Sequence, residues 1–181
     1  TVDEGQFTYR DYEKNFYSEA TNRVCILTFL KEAEKDPVTS EIGKTLIFAV
    51  SQNHAAKLTQ ILNEEADKIW PDRYQSDFAL QVTSQVKDAQ QKTISFANNN
   101  LGGNPIWLPG YKTSKTRICV TVGMMTTGYD CQDILNVVLM RPIFSPYEFI
   151  QIKGRGTRIY TFTYAHRQDG VTAEKSERKI K

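Results

Sequence analysis

Two stretches of the chain carry residue types at spacings on which chemistry could rest. In 126-TTGYD-130, Gly128 lets the backbone turn tightly and approach a ligand. Asp130 adds an acceptor suited to a ribose hydroxyl, and Thr126 or Thr127 can hydrogen-bond a phosphate. The plainer reading is a glycine turn followed by a helix-capping Asp. In 151-QIKGRGTR-158, Gln151, Arg155 and Arg158 are separated by four and three residues, so a persisting helix would put them on one face. Gly154 and Gly156 point instead to a helix that ends in a tight loop, with the two guanidiniums projecting from its end. Arginine makes planar, charge-assisted contacts to phosphate oxygens that a solvated lysine does not reproduce. Two arginines three apart suit the charge that spreads over a transferring phosphoryl group. The plainer reading is a helix end whose cations oppose the macrodipole. Lys153, just ahead of both arginines, reads as a solvated neighbour or a weak contact to a polyanion.

These stretches need elements to position them. Residues 19–35 place Val24, Leu27, Phe29, Leu30 and Ala33 near a helical period, ended by Pro37. The apolar run 44–50 reads as a buried parallel strand. Ser51 or Asn53 could cap a helix over 54–68, with Ala55, Leu58, Ile61 and Leu62 on one face. A strand at 78–84 and a moderately polar helix at 85–97 come next. Residues 98–114 break all periodicity with Asn, Gly and Pro. Residues 117–122 and 135–140 are apolar, β-branched strands, and 145-SPYE-148 is a helix start with Ser as N-cap and Pro at the first position. The polar tail from His166 to Lys181 is expected to fray. Strands alternating with helices imply an α/β three-layer domain, its mostly parallel sheet covered on both faces. Ligands in such sheets are sought beyond the carboxyl ends of the strands. The triplet Gly43-Lys44-Thr45 imitates a phosphate loop but has Val38 where the motif needs glycine, so it reads as a strand entrance.

Composition bounds the function. With 40% hydrophobic and 24% charged residues, this is an ordinary globular chain. A formal charge of +2 does not by itself argue for nucleic acid, so basic surface must be local. Arg141, Lys153, Arg155 and Arg158 face only Glu148 within 141–158, whereas acids outnumber bases in 1–36. Cys25, Cys119 and Cys131 lack CxxC spacing and, with only His54 and His166 available, offer no zinc site. No apolar run approaches the roughly 18 residues of a membrane span, and no signal-peptide pattern opens the chain. A cytoplasmic location and no membrane partner are expected.

The joint order is more specific than either stretch. An apolar strand, TTGYD, a second strand, RPIFSPYEF and QIKGRGTR occur in succession, and together they resemble motifs V and VI of superfamily 2 helicases and translocases, as GxD followed by QxxGRxxR. The fuller wording, TVGMMTTGYDC…VVLMRPIFSPYEFIQIKGRGTRIY, is similar to the motor subunit (subunit R) of type I restriction enzymes. The run 6-QFTYRDYEKNFYSEATNRVCILTFL-30 followed by GKTLIFAVSQNHA fits the start of the second motor lobe there, so the resemblance covers roughly residues 6–160.

The resemblance implies a RecA-like helicase C-terminal lobe over 37–165, a helical lead-in over 1–36 and a linker over 166–181. It implies ATP, with magnesium held mainly by a first lobe that carries the phosphate loop and acidic box. Arg155 and Arg158 would face the γ-phosphate on that lobe, Arg158 as the arginine finger, and Gln151 would position or sense the nucleotide. Gly128 and Asp130 would sit near the ribose, and Thr126 and Thr127 near a DNA phosphate. Phe48, Ser51 and His54 fall in a stretch resembling motif IV, where a DNA backbone contact is expected. His54 by itself reads as a surface residue at a helix start. The implied partners are double-stranded DNA, the first lobe, and the methyltransferase and specificity subunits of a restriction complex. The implied enzyme is an ATP-dependent site-specific deoxyribonuclease and translocase, of which this stretch alone would be inactive, since the nuclease centre lies elsewhere. Gly123 departs from the acidic residue common at its position. The rival readings are the equivalent lobe of another superfamily 2 helicase, a nucleic-acid-binding module with no nucleotide role, and a Rossmann-type nucleotide-binding enzyme. The first keeps the arginines. The second predicts basic residues spread along a face with aromatic partners. The third needs GxGxxG after a first strand, whereas the GxG at Gly154-Arg155-Gly156 comes after a helix.

Overall fold

The computed structural model describes residues 18–103, 111, 113–123, 131–168 and 171–179, with side chains through residue 164. The elements run α1 (Glu19–Glu32), β1 (Thr45–Ala49), α2 (Gln52–Ile69), β2 (Ala79–Gln81), α3 (Ala89–Ala97), β3 (Ile118–Thr121), β4 (Asn136–Met140), α4 (Pro146–Gly156), β5 (Tyr160–Gln168) and β6 (Val171–Lys179). The first four strands form one parallel sheet in the order β2-β3-β1-β4. Thr45 pairs with Ile118 on one side and Asn136 on the other, so β1 is flanked on both edges.

Alternation along β1 builds two cores. Ile47 and Ala49 join Ile118, Val120 and the inner faces of α1 and α2, where Ile26, Leu30, Leu58 and Leu62 are buried. Leu46 and Phe48 point the other way, onto Cys119, Phe96 of α3 and Ile152 of α4. Each fully buried side chain of this size contributes about 1.5–3 kcal/mol of transfer free energy. The result is the expected three-layer α/β domain, with helices on both faces of a parallel sheet.

Three local expectations are corrected. The inner face of α1 is Asn22, Ile26 and Leu30, spaced by four, while Val24 is 63% and Leu27 41% exposed. The face is set by a polar residue, because Asn22 meets His54 of α2. Helix α4 runs through Gly154 and ends at Gly156, so the expected end falls at the second glycine and leaves Arg155 inside the helix; the Cβ position of Gly156 lies 3.0 Å from a Val137 methyl. Glycine serves here as a close-packing residue against β4. The described residues of the polar tail do not fray either. β6 pairs antiparallel with β5 from Tyr160↔Lys179 to Gln168↔Val171, so the strand crosses the expected boundary at residue 165. Tyr160, Phe162 and Tyr164 alternate on β5, and in sequence Asp169-Gly170 stands between the two strands, a dipeptide favoured in two-residue hairpins.

Candidate functional site

Helix α4 carries most of the candidate site, and its start is fixed from several directions. Ser145 caps it by accepting from the Glu148 backbone N–H at 3.4 Å, and Pro146 occupies the first turn. Glu148 pairs with Arg141, which also donates to the Val122 carbonyl at 3.2 Å. The helix is thereby tied to the ends of both β3 and β4. Further along, Ile152 is buried in the sheet and Gly156 abuts Val137.

On this frame Gln151 and Arg155, four apart, share a ridge of α4. Arg155 is 8% exposed, so it does not project from the helix end as the glycines suggested. Only Arg158 lies beyond the end, one residue after the C-cap Thr157, and it is half-buried. Lys153 is exposed, in keeping with a solvated neighbour. Because α4 runs back along the sheet, Gly156 meets the second residue of β4. Arg155 and Arg158 therefore lie toward the amino half of β4 and not beyond the carboxyl ends of the strands. Thr126, Thr127, Gly128 and Asp130 fall outside the described residues.

Ser51 and His54 sit where β1 passes into α2. Ser51 caps the helix, its hydroxyl accepting from the His54 N–H at 3.2 Å. His54 is 4% exposed, which corrects its reading as a surface residue. Its Nδ1 accepts from the Val50 N–H at 3.3 Å, so Nε2 carries the proton and faces the Asn22 amide oxygen at 3.3 Å. The ring stitches α1 to the entrance of α2. Phe48 is fully buried in the sheet.

No family model matches the chain. Over 161 aligned residues, 87% of the chain, it is 30% identical to the type I restriction enzyme EcoKI endonuclease subunit of Escherichia coli (strain K12). The chain is a relative of type I restriction enzyme R subunits. A fragment structure assigned to an HsdR subunit of a type I restriction enzyme from Vibrio vulnificus YJ016 matches it with a TM-score of 0.55 at 27% identity, covering 81% of this chain. The chain spans 12% of the length of the first of these proteins and 27% of the second.

This R-subunit relative also holds a polar chamber that its sequence did not announce. At the amino edge of the sheet, Lys44 (2% exposed) donates to the Phe96 carbonyl at 2.8 Å and pairs with Asp133 at 2.7 Å. Asp133 also accepts from Asn99 at 2.9 Å and from the Cys131 thiol at 3.0 Å. Burial alone would push the Asp133 carboxyl up, but Lys44, Cys131 and Asn99 hold it below the usual carboxylate range. Across the chamber, Arg117 bonds Ile42 O at 2.9 Å and Thr113, and lies 3.5 Å from Asp36, which accepts from the Tyr111 hydroxyl at 2.8 Å. The cavity between the pairs measures about 250 Å³ and is lined on another side by Tyr160, Phe162 and Thr163 of β5. Lys44 enters the strand as expected, yet its partner stands 89 residues away, beyond the reach of any periodicity.

Proposed function

We propose that this chain is the second RecA-like lobe of the ATP-driven, double-stranded DNA translocase in a type I restriction R subunit. Arg158 acts as the arginine finger and Arg155 as its companion, reaching the γ-phosphate of ATP bound on a first lobe. Gln151 positions or senses the nucleotide, while Gly128 and Asp130 approach the ribose. Thr126, Thr127 and Ser51 serve the DNA side, and His54, bonded within the fold, sets the geometry of that helix start. The whole assembly is a restriction endonuclease complex with methyltransferase and specificity subunits.

The observation that carries this reading is α4 itself: a helix tied down at its start and packed at Gly156, with Gln151 and Arg155 on one ridge and Arg158 just past its end, in a relative of R subunits. Guanidiniums fit phosphate oxygens by charge and by planar geometry. In this reading magnesium is held mainly by the first lobe. When bound, the metal-nucleotide supplies the transferable phosphoryl group. The chain's own residues orient it and neutralise charge only when the lobes close, which makes hydrolysis depend on closure.

The test is Arg158→Ala in the R subunit that carries this lobe. DNA-stimulated ATP hydrolysis is expected to fall about 10³-fold or more, with the thermal melting of the lobe unchanged. Hydrolysis at the parent rate removes the finger assignment.

A further inference from the structure

Arg158 is held from two sides, by helix α4 before it and by strand β5 after it. Residues 157–159 join the two elements. On the helix side, Ile152 is buried and Gly156 abuts Val137. On the strand side, Tyr160 and Phe162 enter the chamber at the amino edge. Phe162 is 5% exposed yet belongs to neither apolar core. It lies instead over the walls formed by the Lys44–Asp133 and Arg117–Asp36 pairs. Its ring meets that of Tyr160 edge-on, with centroids 4.8 Å apart and planes at 78°. One step further along β5, Tyr164 makes a similar contact with Tyr111 at 6.2 Å, and Tyr111 donates to Asp36. The chamber walls are fixed by charge, and the root of the hairpin is seated in them by aromatic rings.

We propose that Phe162 and Tyr160 are positioning residues for Arg158: by seating the root of β5 in the amino-edge chamber they fix the far end of the connection that carries the guanidinium. This rests on the reading that Arg158 faces an ATP phosphate. A finger that must reach a phosphate on another lobe benefits from a backbone pinned on both sides. Pinned only by α4, the three-residue connection samples alternatives, and a displacement near 1 Å at such a site costs about 10²-fold in rate. ATP is held by the other lobe, so its binding is not expected to register the change.

The experiment is a double-mutant cycle in the intact R subunit, read as DNA-stimulated ATP hydrolysis. Phe162→Ala is expected to lower kcat about 10²-fold while leaving KM for ATP within about twofold, and Phe162→Leu to recover the parent kcat within about threefold. On an Arg158→Ala background, Phe162→Ala should add no further loss, because the group it positions is gone. If Phe162→Ala fails to fold, the half-exposed Tyr160 replaces it, Tyr160→Ala carrying the same cycle with the same expected direction. Parent-rate hydrolysis by Phe162→Ala, with Arg158→Ala inactive, overturns the positioning role and leaves the finger standing. A full further loss on the Arg158→Ala background also overturns it, showing a merely structural contribution. Parent-rate hydrolysis by Arg158→Ala instead brings down the finger reading itself.

Discussion

The amino-edge chamber and helix α4 both bring cations into protected places, by opposite means. Lys44 and Arg117 sit among carboxylates within hydrogen-bond or ion-pair reach, and their surroundings are polar. Arg155 and Arg158 are placed by an apolar frame, Ile152 in the core and Gly156 against Val137. The chamber uses its charges inside the fold, where breaking a pair strands the partner. The α4 frame adds close packing at Gly156 to the Arg141–Glu148 pair at its start, so it answers to volume as well as to charge. The first arrangement is suited to holding a wall rigid, and the second to fixing where Arg155 and Arg158 stand at the end of α4.

That contrast is broken most directly at Asp133. Asp133→Ala leaves a buried ammonium with the Phe96 carbonyl and the Cys131 sulfur, and should destabilise the domain by about 3–5 kcal/mol in urea unfolding. Adding Lys44→Met should return most of the loss, since replacing both members of a buried pair with apolar groups is often near neutral. A double variant as unstable as the single one would show that packing around the pair, and not its charges, dominates. Acid provides the milder form of the same test. The Asp133 pKa is lowered in the folded state, so its contribution is present above the unfolded value of about 3.9 and is lost as pH falls through the lower folded value. Asp133→Asn should flatten that part of the stability curve below about pH 4. An unchanged acid limb would assign it to other carboxylates.

The same contrast explains how much of the molecule is legible in its sequence. The apolar strands and the amphipathic α2 are legible because burial on a sheet face or a helix stripe imposes a period. Ser145, Pro146 and Glu148 mark the start of α4 because capping is local chemistry. The inner face of α1 escapes the apolar pattern because Asn22, a polar residue, is the one that meets His54 across 32 positions. His54 resembles a surface residue in sequence for the same reason, since its partner lies in another element. The chamber is not legible at all: Lys44 and Asp133, or Asp36 and Tyr111, are joined by topology and carry no spacing that announces them. At β5 and β6 the polarity of 166–181 masks the alternation of Tyr160, Phe162 and Tyr164 and the Asp-Gly pair between the strands. The arginine pair of α4 is legible by type, but the burial of Arg155 depends on the helix continuing through Gly154 before it ends at Gly156.

Those two glycines offer the smallest and most discriminating measurement. Gly154 lies inside α4, where glycine costs roughly 0.5–1 kcal/mol relative to alanine, and Gly156 is its last residue. A Cβ on Gly154 would meet nothing within 4 Å, whereas one on Gly156 would come within 3.0 Å of the Val137 side chain. Gly154→Ala should therefore stabilise the domain by nearly the full propensity difference, about 0.5–1 kcal/mol in chemical denaturation. Gly156→Ala, at the last helical residue, has at most that backbone advantage and must push Val137, so it should show less gain or a net loss. If packing at Gly156 also sets the level at which α4 presents its arginines, Gly156→Ala should lower ATP hydrolysis by the R subunit while Gly154→Ala leaves it unchanged. Equal stabilisation by both substitutions would mean that Val137, on an edge strand, moves aside freely, and that the frame around Arg155 is looser than the close approach implies.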